Sequence, residues 1–258
     1  MVDPAAPGHL HPHSHPHPHP HPHPSERHER EDLLPERAVR AGEVVDLEAH
    51  VLAANDALAA VNRRRFAETG ILAVNLMSSP GSGKTTLLER TVRDLAGELP
   101  VAVLEGDQET LVDAERIRAA GARAVQVNTG AGCHLDATMV ARGVDVLVPE
   151  DGSVLFVENV GNLVCPALFD LGEAARVVVM SVTEGADKPL KYPHMFRTAD
   201  LVVVNKIDLL PYVDFDVAAC VANARRARPG VATIEVSATR GDGLEGWYAW
   251  LRALHARL

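Results

Sequence analysis

The chain has 258 residues, of which 47% are hydrophobic and 4% aromatic, and its formal net charge is −10. The acidic balance argues against general affinity for nucleic acid or anionic lipid, and the scarcity of aromatic residues argues against a platform for stacked bases. Three cysteines, a small and odd number, favour a reducing compartment over a disulfide framework. With no apolar signal core and no apolar run of about 18 residues, a cytoplasmic protein without membrane or nucleic-acid partners is expected.

Residues 1–30 differ sharply from the rest of the chain in composition. Histidine occupies every second position from His9 to His23, mostly alternating with proline. Because this pattern has no hydrophobic periodicity, residues 1–30 are predicted to be a disordered or polyproline-like arm, followed by a charged linker over 31–45. Neutral imidazoles bind Ni²⁺, Cu²⁺ and Zn²⁺, so the arm is interpreted as a nickel store; a purification tag, the alternative, is usually an unbroken histidine run. The candidate storage ligands are His9, His11, His13, His15, His17, His19, His21, His23 and His28.

Residues 46–258 are predicted to form one domain, which opens with a helix from Asp46 to about Gly70. The apolar face of this helix is predicted to comprise Leu47, Val51, Leu52, Ala54, Leu58 and Val61. Strands are predicted at 71–77, 101–105, 124–127, 144–148, 154–157, 177–182, 201–204 and 233–236. Further helices are predicted at 85–95, 110–120, 135–142, 215–227 and 244–258. Valine-rich runs separated by helices indicate an α/β fold, a mostly parallel sheet with helices on both faces, whose ligands bind beyond the carboxyl ends of the strands.

A glycine-rich turn joins the first predicted strand to a helix. A phosphate-binding loop requires this context, because backbone N–H groups and the helix N-terminus then converge on phosphate oxygens. Lys84 can reach the β- and γ-phosphates, and the Thr85 hydroxyl can ligate Mg²⁺. Ser78 stands where the usual pattern opens with glycine, and an ordinary glycine-rich turn is the alternative. The predicted phosphate-binding residues are Gly81, Ser82, Gly83, Lys84, Thr85 and Thr86.

An Asn-Lys-x-Asp motif follows the strand predicted near the end of the chain. The Asp208 carboxylate can accept hydrogen bonds from the N1–H and the exocyclic amine of guanine, and adenine offers neither donor in these positions. Such polar discrimination reaches several orders of magnitude, so the motif predicts GTP over ATP. Lys206 can lay its aliphatic stem over the base, and Asn205 can tie this loop to the phosphate loop. Ser237 and Ala238 follow the next strand and are predicted to add contacts to the base.

Two acidic residues at predicted strand ends are the catalytic candidates beside Lys84. Asp107 is expected to hold Mg²⁺ through water or to orient the attacking water. Glu158 stands where many GTPases carry aspartate, and it precedes Gly161, whose N–H is expected to sense the γ-phosphate. A helix cap or a turn residue is the alternative for either acid. No arginine finger can be assigned, which predicts slow intrinsic turnover, since its absence typically costs about 10³–10⁵ in rate.

Two cysteines and a histidine follow neighbouring predicted strands. Cys133 and His134 open a predicted helix, and Cys165 follows Gly161. Two thiols and an imidazole from adjacent strand ends are expected to form an open, soft three-ligand metal site. The helix N-terminus is predicted to lower the pKa of Cys133. The alternative is two small buried hydrophobic residues and a capping histidine, and Cys220 is expected to lie in the core.

Six motifs occur in order: SSPGSGKTT, EGDQ, NTGAGCHLD, ENVGNLVCP, DKPLKYP and NKID. Together, over roughly residues 45–258, they resemble the hydrogenase nickel-incorporation GTPases, the HypB family. The resemblance implies a signal-recognition-like GTPase that uses GTP and Mg²⁺, forms a GTP-dependent homodimer and carries nickel or zinc on Cys133, His134 and Cys165. It also implies two protein partners, a HypA-type nickel chaperone and the precursor of the [NiFe] hydrogenase large subunit.

Two departures from the family pattern bear on these expectations. No cysteine precedes Cys133, so the N-terminal Cys-x-x-Cys-Gly-Cys site of some members is absent, and the histidine arm resembles the nickel-storing variety instead. The phosphate loop lacks a paired lysine, which leaves Lys188 and Lys191 as candidates for acting across the dimer. The predicted function is a GTP-hydrolysing nickel metallochaperone. The alternatives are a urease-type nickel-insertion GTPase, disfavoured by the lack of a Cys-Pro-His motif, and a nickel store with an incidental GTPase.

Overall fold

A computed structural model describes residues 41–107, 112–130 and 132–258. Its seven strands are all parallel and form one sheet in the order β3-β2-β4-β1-β5-β6-β7. The strands are β1 (Leu72–Ser78), β2 (Val101–Asp107), β3 (Arg123–Asn128), β4 (Val154–Glu158), β5 (Ala175–Ser181), β6 (Leu201–Asn205) and β7 (Ala232–Glu235). The predicted α/β class is therefore confirmed. The predicted arm, and the linker as far as residue 40, lie outside the described residues.

Helices cover both faces of the sheet. They are α1 (Ala41–Thr69), α2 (Lys84–Asp94), α3 (Val112–Ala120), α4 (Ala137–Leu147), α5 (Lys188–Lys191), α6 (Pro193–Thr198), α7 (Val217–Ala227) and α8 (Leu244–His255). The short helices α5 and α6 were not predicted, because four and six residues are too few to reveal a helical period. None of the helices in the described ranges is long and apolar enough to cross a membrane.

Alternate side chains of the central strand β1 enter two apolar layers. Leu72 and Leu76 pack against α2 and α8, whereas Met77 packs with α6 and α7 on the opposite face. The buried Trp247 of α8 donates its indole N–H to Thr91 Oγ1 at 2.9 Å, which satisfies the polar atom of a large apolar side chain. The resulting core fixes β1 and α2, and with them the loop that joins these two elements.

The strand predicted at 144–148 was wrong, because this segment forms the last turn of α4 and its C-terminal cap, Val148. Alternating valines there imitate a strand, yet Val146 and Val148 are exposed. The buried residues of α4 recur at helical spacing: Ala137, Val140, Gly143, Val144 and Leu147. Burying this stripe against β2 and β3 outweighs the modest preference of valine for strands.

The apolar face predicted for the first helix was also wrong. Leu47, Val51, Leu58 and Val61 are exposed, and the buried face instead comprises Asn55, Ala59, Asn62 and Phe66. The two asparagines are buried because they hydrogen-bond backbone groups of other elements. Asn62 Nδ2 donates to the carbonyls of Ala137 and Leu171, while Asn55 donates to Asp170 O and accepts from Ala137 N–H. Buried amides thus position α1, which a hydrophobic pattern cannot reveal.

The topology brings the motif-bearing loops together. β1 lies between β4 and β5, so the chain leaves β1 toward one half of the sheet and later returns to the other half. In parallel sheets of this kind the crevice beyond the carboxyl ends of the strands is the usual ligand site. The loops after β1, β2, β4 and β6 all open at that edge.

Candidate nucleotide and metal sites

The phosphate loop connects Ser78, the last residue of β1, to Lys84, the first residue of α2. Gly83 has φ 95°, a left-handed conformation that disfavours residues with a Cβ. A Cβ at Gly83 would also lie 2.5 Å from Asn205 Nδ2. Asn205 uses this close approach to donate to Ser82 O at 3.0 Å, so the base motif and the phosphate loop are tied together.

Lys84 lies at the base of a cavity of about 570 Å³ that opens at the carboxyl ends of the strands. Its side chain is buried, and Nζ donates to Ser78 Oγ at 2.7 Å. Ser78, which replaces the usual glycine, therefore holds the ammonium group. Six predicted phosphate-binding residues line this cavity, namely Gly81, Ser82, Gly83, Lys84, Thr85 and Thr86.

The predicted base-binding residues lie at the same edge of the sheet as the phosphate loop. Lys206 Nζ donates to Gly81 O at 2.7 Å, and Ala238 N–H donates to Asn205 Oδ1 at 3.1 Å. The Ser237 hydroxyl donates to Asp208 Oδ1 at 2.6 Å, which fixes the orientation of that carboxylate. Lys206 also lines the cavity beside the phosphate loop (the phosphate cavity), and Asn205 links Ala238 to the phosphate loop, as was predicted for Asn205.

Two ligands suited to Mg²⁺ meet beside the phosphate loop. The Thr85 hydroxyl donates to Glu158 Oε1 at 2.8 Å, and Glu158 Oε2 is buried without a hydrogen-bond partner in the described chain. A hydroxyl and a carboxylate with an unsatisfied oxygen fit a hard cation that prefers oxygen ligands. Asp107 ends β2 and lines the same cavity, as does Gly161. Gly161 also lies so close to Pro80 that a Cβ would be 3.0 Å from the Pro80 Cα.

A buried acid to which the sequence assigned no role lies behind this group. Glu105 pairs in register with Glu158 on the neighbouring strand, and Glu105 Oε2 also has no donor within the described ranges. Burial, followed by the charges of Glu158 and Asp113, raises the pKa of Glu105 far above its ordinary value, while Lys84 opposes the shift. A hydrogen bond between the two carboxyl groups also favours the protonated form of Glu105. Only the pairing of β2 with β4, which the sequence does not specify, could have indicated this contact.

The raised pKa of Glu105 predicts that Glu105→Gln stabilises the nucleotide-free protein, and that this gain increases with pH. Above the ordinary carboxyl pKa of 4.5, the native state keeps a proton that the unfolded chain has released, so wild-type stability falls as the pH rises. One retained proton corresponds to about 1.4 kcal/mol per pH unit, and glutamine removes this term. Urea unfolding between about pH 6 and pH 8 should show the difference between variant and wild type growing with pH.

Glu98→Gln is the matched control for this prediction. Glu98 is exposed and paired with Arg252, which lowers its pKa, so its removal leaves the stability slope above pH 6 unchanged. A difference between Glu105→Gln and wild type that stays constant or shrinks with increasing pH would show that Glu105 is ionised in the native protein.

Arg116 of α3 is a second residue of the cavity that the sequence did not single out. Its guanidinium contacts Thr86 Oγ1 at 3.4 Å and pairs with Glu89 at 2.8 Å and with Asp113 at 3.2 Å. These acids hold a cation beside the phosphate loop. No motif marks this position, because its place depends on how α3 packs against α2.

Cys133, His134 and Cys165 come together although more than one element separates them in the chain. Their ligand atoms all lie within 4.8 Å of one another, and Cys133 Sγ lies 3.7 Å from His134 Nδ1. Metal–sulfur and metal–nitrogen bonds of about 2.0–2.3 Å place ligand atoms about 3–4 Å apart, so a small movement closes the set around an ion. All three residues are half-buried, and the donor set of two thiols and one imidazole suits Ni²⁺ or Zn²⁺.

The predicted effect of a helix on Cys133 was wrong. A hydrogen bond with Cys165, followed by burial, raises the pKa of the Cys133 thiol. Helix α4 begins only at Ala137, and the Asp136 side chain caps it by accepting from Met139 N–H, so Cys133 lies outside the first turn. Burial lowers the pKa of His134, which favours the neutral imidazole that binds metals.

The metal cluster and the nucleotide cavity share a loop. Asn162 Nδ2 donates to Cys133 O at 3.4 Å, and Asn162 directly follows Gly161 of the phosphate cavity. The ring of His134 stacks on Phe169 with centroids 3.9 Å apart. Cys220, by contrast, is buried in the core with its sulfur 3.3 Å from Met180 Sδ, as the sequence predicted.

The sequence of this chain is similar to a known protein family and to several known proteins. A family model described as CobW/HypB/UreG, nucleotide-binding domain, matches residues 72–235. The hydrogenase maturation factor HypB of Rhizobium leguminosarum bv. viciae is 59% identical over 214 residues, which cover 83% of this chain and 72% of that protein.

Two solved structures are similar over most of the described chain. The crystal structure of hydrogenase maturation factor HypB from Archaeoglobus fulgidus has a TM-score of 0.74 and 43% identity, and the match covers 79% of this chain and 100% of that one. HypB from Helicobacter pylori, crystallised in complex with nickel, also has a TM-score of 0.74, with 38% identity over 79% of this chain and 95% of that one.

Proposed function

This chain belongs to the HypB family, and from that premise we propose that it hydrolyses GTP to control the delivery of nickel during [NiFe] hydrogenase maturation. The observation that carries the proposal is the joining of the two sites by a short loop. Gly161 borders the phosphate cavity, and Cys165, four residues later, belongs to the cysteine–histidine cluster. A change at the γ-phosphate therefore has a short physical route to the metal ligands.

GTP is proposed to bind along the carboxyl edge of the sheet. The N–H groups of the phosphate loop and the Lys84 ammonium receive the β- and γ-phosphates, with Lys84 leaving Ser78 Oγ as it does so. At the other end the Asp208 carboxylate, held by Ser237, accepts from the guanine N1–H and amine. Lys206 and Asn205 connect these two ends, because both also hold the phosphate loop.

Hydrolysis transfers the γ-phosphoryl group to water. The water oxygen forms a bond to phosphorus while the bond to the β–γ bridging oxygen breaks, which yields GDP and inorganic phosphate. Thr85 and Glu158 are proposed to hold Mg²⁺, which supplies positive charge to the phosphate oxygens. Asp107 is proposed to orient the attacking water or a water of the magnesium shell, and Lys84 stabilises the charge that develops on the phosphates.

Nickel is the proposed cargo of Cys133, His134 and Cys165, and zinc fits the same donors. Three protein ligands leave an open position through which the ion can be passed on. GTP-dependent dimerisation, a HypA-type chaperone as source and the hydrogenase large-subunit precursor as recipient complete the proposal. The histidines between His9 and His28 are proposed to store nickel and lie outside the described residues.

The decisive experiment measures nickel affinity and molecular mass with GDP and with a non-hydrolysable GTP analogue. Thiolate-to-nickel charge-transfer absorption reports the cysteine site selectively, because the histidine arm contains no cysteine. We expect dimers with the analogue and a nickel affinity that differs between nucleotides by about 5–150-fold, the range typical of coupled sites.

The same measurements on a chain without residues 1–28 separate delivery from storage. Loss of the arm should remove most of the bound nickel while the nucleotide dependence of the charge-transfer signal remains. Equal affinity and equal mass with both nucleotides would rule out the switch and leave a nickel store with an incidental GTPase. Restoration of urease but not of hydrogenase activity in a strain that lacks the native factor would favour the urease-type alternative.

A further inference from the structure

A buried asparagine connects the two sites independently of the loop that joins them. Asn159 follows β4 directly, between Glu158 and Gly161, and is almost entirely buried. Its Oδ1 accepts from Val160 N–H and from Leu135 N–H, both at 3.1 Å. One side-chain oxygen therefore binds the N–H of Val160, in the loop that holds Gly161 (the γ-phosphate loop), and the N–H of Leu135, which directly follows His134.

The amide nitrogen of the Asn159 side chain begins a series of hydrogen bonds that continues through a residue of β1. Asn159 Nδ2 donates to Asn75 Oδ1 at 3.3 Å, and Asn75 Nδ2 donates to Glu173 Oε1 at 3.2 Å. Glu173 also pairs with Arg176 at 2.6 Å and accepts from Leu171 N–H at 2.7 Å. Asn75 and Glu173 are buried as well, so this is a continuous polar network inside an apolar core.

The far end of the network reaches the other half of the metal cluster. The Arg176 guanidinium contacts the carbonyls of Ala167 and Phe169 at 3.5 and 3.4 Å. Ala167 closes the 3₁₀ turn that begins at Cys165, and Phe169 stacks on His134. The network thus contacts the backbone next to His134, through Leu135, and the backbone that follows Cys165, through Ala167.

We propose that Asn159 is a positioning residue that couples the nucleotide state of the γ-phosphate loop to the geometry of the cysteine–histidine metal site. This inference rests on the proposed function and names the side chain that carries its regulation. If Gly161 moves toward or away from a γ-phosphate and the preceding Val160 N–H moves with it, Asn159 Oδ1 is displaced. Since Leu135 N–H shares that acceptor, the segment holding Cys133 and His134 moves with it.

Burial makes this linkage difficult to break at one end only. A buried N–H or amide group that loses its partner keeps the full cost of its removal from water, which favours concerted movement over separation. Because Asn159 Oδ1 has two donors, and its Nδ2 is fixed by Asn75, few other orientations satisfy all of its polar atoms.

The test measures nickel affinity at the cysteine site of full-length Asn159→Ala with GDP and with a non-hydrolysable GTP analogue. Thiolate-to-nickel absorption is the readout for nickel affinity. The affinities for GDP and for the analogue are also measured with and without nickel, and the coupling obtained in this way must equal the coupling obtained from nickel binding. We expect the wild-type ratio, about 5–150-fold, to fall to about one in the variant, while both sites still bind.

Asn223→Ala is the matched control, because Asn223 is a half-buried asparagine of α7 that donates to the backbone carbonyl of Ala186, outside the network described above. This variant should retain the wild-type ratio. An Asn159→Ala protein that keeps the wild-type ratio would overturn the role of Asn159 alone. A wild type with no nucleotide dependence would overturn the proposed function and, with it, this role.

Hydrogen exchange in the unaltered protein tests the same inference without a substitution. With nickel absent, replacing GDP by the analogue should change the exchange rates of the Val160 and Leu135 amides together. A changed rate at Val160 with an unchanged rate at Leu135 would contradict the shared acceptor as the route of coupling.

Discussion

Lys84→Ala is expected to lower the rate of GTP hydrolysis by at least about 10²–10³-fold, the loss typical when one preorganised charge-stabilising donor is removed. The ammonium is buried at the base of the phosphate cavity and rests on Ser78 Oγ, so no neighbouring cation can replace it without rearrangement. Phosphate release under saturating GTP measures the rate, and a fluorescent GDP analogue measures any loss of nucleotide binding.

The structure predicts that Lys84→Ala changes nucleotide binding and hydrolysis but not nickel binding. Nickel binding at the cysteine site with GDP should be unchanged, because no ligand of that site contacts Lys84 through the bonds described above. Arg93→Ala is the matched control: it removes an exposed cation from the same helix, one that pairs with Glu89 at the surface. Substantial turnover in Lys84→Ala would mean that the cavity behind the phosphate loop is not where GTP is hydrolysed.

Cys133→Ser and Cys165→Ser are each expected to abolish the thiolate-to-nickel signal at stoichiometric metal. Loss of an outer-shell partner typically costs about 10–100-fold in metal affinity, and loss of a direct sulfur ligand should cost more. The two thiols are close enough to hydrogen-bond, so a single ion would bind both of them. After loss of one thiol, the remaining thiol and His134 supply only two ligands. Competition titrations against a chelator of known affinity measure the change.

Cys220→Ser provides the matched control, since these three residues are all the cysteines of the chain. Cys220 is buried beside Met180 on the face of the sheet that carries α6 and α7. Its replacement should lower stability slightly and leave the nickel signal intact. If Cys133→Ser and Cys220→Ser bound nickel equally well, the cluster around His134 would not be the internal metal site.

The parts of the site that the sequence predicted are those carried by short, continuous motifs. A phosphate loop needs a strand, small residues and a helix in succession, and guanine recognition needs an acid just after a buried strand. These constraints are local, so the positions of Lys84 and Asp208 follow from the sequence. The sequence predicted that Cys133 and Cys165 follow adjacent strands, which was wrong, because β2 lies between β3 and β4. The ligand atoms nevertheless lie within 4.8 Å of one another, because all three strands end at the same edge of the sheet.

What the sequence could not predict depends on which residues meet across the fold. The alternating valines of 144–148 indicate a strand by themselves. The segment is helical because it continues the buried face that Ala137 and Val140 begin. Burial and, after it, the charge of Glu158 raise the pKa of Glu105, and the second cause depends on the pairing of β2 with β4 in register. No sequence pattern marks Asn159, because its role depends on the hydrogen bond that its side chain accepts from Leu135 N–H.

The two buried amides of α1 set a limit on how the chain can be shortened. Deleting the histidine arm spares Asn55 and Asn62, whereas a cut beyond Asn62 would strip Ala137 and Leu171 of their side-chain partners. Those groups flank the segments that carry His134 and Phe169, so such a truncation would damage metal binding even though it removes no ligand. A failed minimal GTPase domain would then be mistaken for proof that the arm itself is indispensable.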